Sequence, residues 1–457
     1  MRWHTLLPAT TLMIGLASGT CTAAEPTWKA GVARINITPH EPMWMAGFGG
    51  RTQTSEGKLH DLWVKVLVLE AADGQRGLII TSDVCGISKA TYETLCKELY
   101  ERCGLTRPQI RFTYSHTHSG PALRECLQDY YSWDDDNRNR TTEYTLALEK
   151  TIVEHVVKAL GQMKPVTVWA TEGTADFGVN RRNNNERQID ELLASGEPLK
   201  GPVDHRVPLL VVRSADRSLD ALVFGYACHT SMLAGYDWSG DYAGFAQLAL
   251  EEKHPGTQAM FYQACGGDQG AMPRRTVELT RRNGLKLAAA VDEALASPMR
   301  PVGPQLQTAF EFVDLPFEKT MTIEDLDGFI EKGGLYGRWA QRMKDLLQAG
   351  ETFPDSFPYA VQVWKLGADQ LWISMGGEPV VDYSLKFMAM FGPTTWTNGF
   401  THDLTAYIPS RRVWEEGGYE GGYLGEYGLP AMRWSGDVED RITAGVKRLA
   451  KQVDWGK

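Results

Sequence analysis

The 457-residue chain predicts an α/β fold, a mixed or parallel β-sheet with helices packed on it. Three observations carry that expectation. Arg76 to Thr81 is a largely apolar run ending in Ser82-Asp83, the pattern of a buried strand that delivers polar groups at its carboxyl end. A helical pattern follows over Lys89 to Cys103, and Gln109 to Tyr114 is rich in β-branched and aromatic residues, so strand, helix and strand form a βαβ unit within about forty residues. Two further apolar strands, Leu219 to Ala227 and Met260 to Ala264, run into Gly-rich loops and then helical patterns.

Composition bounds the function. Hydrophobic residues make up 43% and charged residues 23%, which suits a globular protein with a substantial core, and the length allows one large domain or two to three ordinary ones. A net charge of −10 and a pI near 5.6 argue against a nucleic-acid partner and against attraction to anionic membranes. At the amino end, Arg2, the apolar stretch Leu6 to Ala17 and Thr22-Ala23-Ala24 have the layout of a secretory signal peptide over residues 1–24, cleaved near Ala24. The expected location is secreted or periplasmic. Six cysteines remain after that leader, too few for a disulfide scaffold, and no C-x-x-C pair suggests a cysteine-bound metal. Cys96 and Cys103 lie seven apart on one helix, about 10 Å along its axis, too far to bridge.

Taken in order, the mature chain opens with an alternating strand from Trp28 to Thr38, followed by a Gly-rich loop over Met45 to Gly50 and a strand from Leu62 to Glu70 that His60-Asp61 introduces. After the βαβ unit comes Ser115-His116-Thr117-His118-Ser119-Gly120-Pro121, where Gly and Pro stop the strand. Continuing the strand's alternation would put His116 and His118 on one face, a placement that suits a Zn²⁺ ion or, equally, a hydrogen-bonded surface pair. Glu143 to Leu160 is an amphipathic helix with Val153, Val156, Val157 and Leu160 on one face, and Phe177 to Pro202 reads as a polar loop. Pro208 to Ser214 and Leu219 to Ala227 form a hairpin. His229 terminates its second strand before a Gly-rich loop and a helix, a good ligand position. Helices are expected over Arg274 to Ala296, twice within 315–350, and over Asp437 to Gln452. Glu378, in Gly376-Gly377-Glu378-Pro379 after the strand Leu371 to Met375, reads as an acidic residue at a helix start.

The Ser-His-Thr-His-Ser-Gly-Pro run resembles the metal-binding motif of the neutral/alkaline, non-lysosomal ceramidase family, zinc-dependent hydrolases of an N-acyl amide. The likeness extends in order through the opening strand, Asn180-Arg181, His229 with Ser239-Gly240-Asp241, Glu378, the Tyr407-Ile408 element and Tyr419-Glu420-Gly421. It implies a single large catalytic domain over residues 25–457, one Zn²⁺ held by His116, His229, Glu378 and Tyr407, and Arg181 and Tyr419 in the active site. It also draws His60 towards the pocket, although a lone histidine at a strand start is ordinarily structural. The chain departs from the family at Gly267-Asp268-Gln269-Gly270-Ala271-Met272-Pro273, which lacks the serine to which the family assigns a catalytic role. The immunoglobulin-like module usual at the family's carboxyl end is not expected here, because this sequence ends at Lys457, after the helix from Asp437 to Gln452.

The chemistry so implied is attack on an amide carbonyl by water made acidic by the metal, with His118 as proton shuttle or oxyanion donor and Arg181 and Tyr419 adding hydrogen bonds. Three readings remain at this point. One is an exported zinc amidohydrolase of ceramide or a ceramide-like lipid. A second is a metal-dependent hydrolase of another amide or ester, and a third is a non-catalytic zinc- or ligand-binding protein. No Gly-x-Ser-x-Gly, Gly-x-x-x-x-Gly-Lys-(Ser/Thr) or His-Glu-x-x-His motif supports a serine hydrolase, an NTPase or a zincin.

Overall fold

The structure, a computed structural model, describes Met1, residues 27–216 and residues 220–456. The expected leader and its cleavage site lie outside the described residues. One mixed sheet runs through the molecule in the order Thr257–Gln263, Asp220–Tyr226, Arg206–Ser214, Lys164–Thr174, Trp28–Asn36, Trp63–Glu70, Arg76–Ser82, Ile110–Tyr114, Thr395–Thr401, Gln370–Gly376, Ser356–Leu366, Leu306–Pro316. Three neighbouring pairs are parallel: Thr257–Gln263 with Asp220–Tyr226, Arg76–Ser82 with Ile110–Tyr114, and Gln370–Gly376 with Thr395–Thr401. The mixed α/β architecture and the βαβ unit stand as the sequence predicts, with the crossover helix at Lys89–Cys103.

The sheet is bent so that its halves face each other. Leu67, Leu69 and Ile79 share one core, made of strand and loop residues alone, with Leu210, Val212, Val223, Met260 and Tyr262 from one end and Trp364, Trp372 and Trp396 from the other. Helices cover the outer faces. Lys89–Cys103 and Asp135–Gly161 bury Leu95, Leu99, Ile152 and Val156 against Val64, Val66 and Ile80. Asp241–Lys253 and Val277–Ala296 pack on Leu209, Val211 and Phe224, and Asp382–Phe391 and Val438–Gln452 pack on Val361, Val363 and Ile373. Residues successive along a strand face opposite sides, which is why Leu67 and Val66 lie in different cores.

Several local expectations are corrected. The polar stretch 177–202 is not one loop: Gly178–Asn180 pairs with Gln269–Ala271, and Ile189–Ser195 is a short helix. Val157 does not join the buried face of its helix but is 39% exposed. Lys164–Thr174, Leu306–Pro316, Ser356–Leu366 and Thr395–Thr401 are sheet strands for which the sequence reading had no place. Thr395–Thr401 in particular, Thr-Trp-Thr-Asn-Gly-Phe-Thr, is buried at every residue by its neighbours, so polar threonines and an asparagine hide the usual alternation.

Candidate metal centre

Four strands lead to the candidate ligands: Ile110–Tyr114 to His116, Asp220–Tyr226 to His229, Gln370–Gly376 to Glu378 and Thr395–Thr401 to Tyr407. Ile110–Tyr114 and Thr395–Thr401 pair only through Thr113 and Thr401 near their carboxyl ends, and Gly376, ending Gln370–Gly376, pairs with the same Thr401. Asn398 secures the junction, its Nδ2 donating to Thr113 Oγ1 at 3.1 Å and to the Gln263 carbonyl at 2.8 Å. The chain then leaves each strand into a loop. His116 does not continue the strand alternation, because its φ is +62°, and the turn swings its ring towards Glu378. His229 follows the Asp220–Tyr226 strand, with its N–H donating to the Gln269 carbonyl at 3.1 Å. Glu378 is not at a helix start either: it pairs in parallel with Tyr407 in a two-residue ladder, and the next helix begins at Asp382. Gly377 makes that ladder possible, because its φ is +61° and a Cβ there would lie 2.3 Å from the Ala406 carbonyl oxygen.

His116, His229 and Glu378 are each at most 2% exposed, and one ligand atom from each lies within 4.8 Å of the others. Glu378 Oε2 is 3.1 Å from His229 Nε2 and 3.4 Å from His116 Nε2, and Tyr407 Oη is 3.3 Å from His229 Nε2. Both imidazoles are pinned from behind. His116 Nδ1 donates to the Cys85 carbonyl at 2.6 Å and His229 Nδ1 to the Gly266 carbonyl at 2.8 Å. A carbonyl only accepts, so each ring carries its proton on Nδ1 and turns the Nε2 lone pair inward, the orientation carbonyl partners impose on metal-ligating histidines.

Electrostatics make the cluster a poor hydrogen-bond network and a good cation site. Burial lowers both imidazoles, His229 to about 4 with Arg181 nearby contributing, so the rings are neutral at physiological pH. Burial pushes the Glu378 carboxyl up, but His116, His229 and the hydrogen bond from Tyr427 outweigh it and bring it down to about 2. With both Nδ1 protons committed to carbonyls, the two Nε2 lone pairs and Glu378 Oε2 converge on one point, an arrangement that a cation would neutralise. Zinc bonds of about 2.0–2.2 Å set tetrahedral ligands roughly 3.3–3.6 Å apart, close to the separations seen. The donor set, two nitrogens with a carboxylate and a phenol, fits a divalent metal of the zinc kind.

Other side chains complete the setting. His118 is partly buried beside His116, with Nε2 atoms 3.1 Å apart and its Nδ1 without a protein partner among the described residues. Gly47 makes room for it: its φ is +93° and a Cβ would fall 2.4 Å from His118 Cγ. Arg181 donates from Nη2 to Tyr407 Oη at 2.8 Å and to the Gly267 carbonyl, and from Nε to Glu420 at 2.9 Å. Arg182 instead pairs with Glu416 and Glu420. Tyr419 packs 5.1 Å from the Tyr407 ring and donates to Glu426 Oε2 at 3.0 Å. His60 is not in the cluster; its Nε2 meets Ser239 Oγ at 3.1 Å. Sequence reasoning missed Tyr427, which donates to Glu378 Oε1 at 2.7 Å, and Glu426. Neither sits in a motif that marks it, although both follow Tyr419-Glu420-Gly421 within a few residues. The cavity these groups line encloses about 20 Å³, space for about one water molecule.

No family model and no curated protein matches the chain by sequence. In structure it is similar to a neutral ceramidase from Pseudomonas aeruginosa, with a TM-score of 0.68 and 18% identity over 93% of this chain and 75% of that one. It is similar also to a ceramidase complexed with C2, with a TM-score of 0.68 and 17% identity over 93% and 76% of the two chains. The described strands, their order and the helices over them therefore make up the neutral ceramidase fold.

Proposed function

We propose that this chain is an exported zinc-dependent amidohydrolase related to the neutral ceramidases, cleaving the N-acyl amide of ceramide or a ceramide-like lipid with water as nucleophile. The observation that carries the reading is the buried trio His116, His229 and Glu378, its imidazole lone pairs aimed at one carboxylate oxygen. Tyr407 Oη is the fourth protein donor atom at that point. Bound there, zinc supplies a Lewis acid that polarises a carbonyl and brings the pKa of water towards neutrality. His118 stands beside the ligands with Nε2 turned towards them, 3.1 Å from His116 Nε2, a place suited to taking a proton from the attacking water. Arg181 holds the Tyr407 phenol, and Tyr419 closes the cavity wall with its hydroxyl donated to Glu426. No side-chain nucleophile is needed, so the missing family serine does not bar the reaction.

A second reading, hydrolysis of a more hydrophilic amide or ester, is favoured by the surface next to the site. Tyr419 and Arg181 border a groove of about 760 Å³ whose walls include Arg182, Asn183, Glu186 and Arg274, a lining of hydrogen-bonding groups. A largely apolar groove of about 610 Å³ lies between 35–43 and the Asp135–Gly161 helix and shares no residue with the metal cavity. Among the described residues no helix is long and apolar enough to cross a membrane.

One experiment separates the readings: zinc stoichiometry with and without chelator, beside hydrolysis of an N-acylsphingosine and of a panel of soluble amides and esters. Bound zinc with lipid turnover supports the ceramidase-like reading. Zinc with turnover of soluble substrates alone selects the second, and zinc with no turnover at all leaves a binding protein.

A further inference from the structure

Two carboxylates line the small cavity, and only one belongs to the ligand set. The other, Glu426, lies in the 3₁₀ turn Leu424–Tyr427, immediately before the tyrosine that supports Glu378. It is 9% exposed, and among the described residues no Lys, Arg or His forms an ion pair with it. Its side-chain hydrogen-bond partners among the described residues are two phenols: Tyr336 donates to Oε1 at 2.7 Å and Tyr419 to Oε2 at 3.0 Å. Each carboxylate oxygen has two lone pairs, so both retain one beyond those bonds. A buried carboxyl without a cation is costly to ionise, and here burial and the Glu378 charge raise Glu426 above the ordinary range against the pull of the two phenols.

We propose that Glu426 is the acid that protonates the leaving nitrogen of the scissile amide, an assignment that rests on the amidohydrolase reading above. Amide hydrolysis needs two proton transfers, one from the attacking water and one to nitrogen, because an alkylamide anion is far too basic to depart. His118 and Glu426 are the two imidazole or carboxyl groups in the cavity outside the ligand set; the phenols and the Cys85 thiol are pushed up by burial and hold their protons. The step balances without another reactant. The carbon–nitrogen bond breaks with its electron pair on nitrogen, nitrogen takes the proton from the Glu426 hydroxyl, and the carboxylic acid product, ionising, returns a proton to the carboxylate. Glu426 and Glu378 thereby divide two tasks between two similar groups by environment: the carboxyl among imidazoles is drawn down, and the one in the cavity wall is raised by burial and by the Glu378 charge.

The test uses the zinc-loaded protein, the Glu426→Gln variant, and two substrates with one acyl group: an N-alkyl amide and the corresponding p-nitrophenyl ester, whose leaving group departs unprotonated. Glu426→Gln is expected to bind zinc as the wild type does, to lose on the order of 10²-fold or more in amide turnover, and to stay within a few-fold on the ester. Equal loss on both substrates, or undiminished amide turnover, overturns the assignment. If Glu426→Gln does not fold, Glu426→Asp is measured the same way, and selective slowing of the amide again supports the role while equal slowing overturns it. A zinc-loaded wild type inert towards both substrates overturns the hydrolase reading and this assignment together; a wild type active on both, with a variant slowed equally on each, overturns this assignment alone.

Discussion

Replacing Tyr427 by Phe should weaken metal binding 10- to 100-fold while leaving the fold intact. The Tyr427 hydroxyl donates to Glu378 Oε1 at 2.7 Å, and Glu378 is 2% exposed, so no bulk water stands ready to replace that donor. A hydrogen bond to a charged group contributes about 1.5–3 kcal/mol, which converts to a factor of about 10 to 150 in an affinity. Losing a hydrogen bond to a ligating carboxylate costs metal affinity by a similar factor in well-characterised sites. The Phe ring keeps the aromatic contact with Tyr407, whose centroid lies 5.9 Å away, so packing is largely preserved. The assay is titration of metal-free protein with zinc in competition with a chromophoric chelator of known affinity, beside a thermal melt of the metal-free forms. An affinity within twofold of wild type, with an unchanged melt, would refute the idea that this phenol orients a ligand.

Three further outcomes follow from the same geometry. His116→Ala and His229→Ala should each lose stoichiometric zinc, whereas His118→Ala should keep it and lose about 10²–10⁴-fold in turnover; metal analysis and rates on purified variants decide this. Gly47→Ala, forcing a Cβ to within 2.4 Å of His118 Cγ at a left-handed φ, should retain zinc yet lose at least about tenfold in activity, and wild-type rates would show that the His118 position is not critical. In metal-free protein the His229 imidazole is held at about 4 by burial, against 6.5 in the unfolded chain. Its contribution to stability is complete above pH 6.5 and is lost as the pH falls towards 4. Chemical denaturation should therefore show metal-free wild type losing up to about 3 kcal/mol relative to metal-free His229→Asn across that window, with buried Asp241 and Asp403 common to both and cancelling. A pH-independent difference would exclude a buried neutral imidazole.

Much of this could be read along the chain because the physics involved is local. The Lys89–Cys103 helix carries its signals in order, with Ser88 accepting the Thr91 N–H at its start and Gly104 in the left-handed region at its end. The apolar strands around it leave little choice but a buried sheet. His116 and His118, paired beside a strand-stopping Gly-Pro, suit a metal or a hydrogen-bonded surface pair equally and became site candidates through the family resemblance, whereas His229 is marked by ending an apolar strand. Nothing local distinguishes Arg181 from the adjacent Arg182; in the fold it is Arg181 that reaches Tyr407.

What the sequence by itself determined was the set of elements with strong periodicity and the residue types of a metal site. Tertiary structure alone decided how those types meet. Thr395–Thr401 is a strand because neighbours bury its threonines, and His116 turns inward because a left-handed residue, not strand alternation, aims its ring. Tyr427, Glu426 and the Cys85 and Gly266 carbonyls are ordinary residues in sequence; they gain a role through contacts spanning from 31 to 90 positions. Periodicity reports which face of an element is buried, whereas a ligand's orientation depends on a single hydrogen-bond partner brought from elsewhere, and no local pattern records that partner.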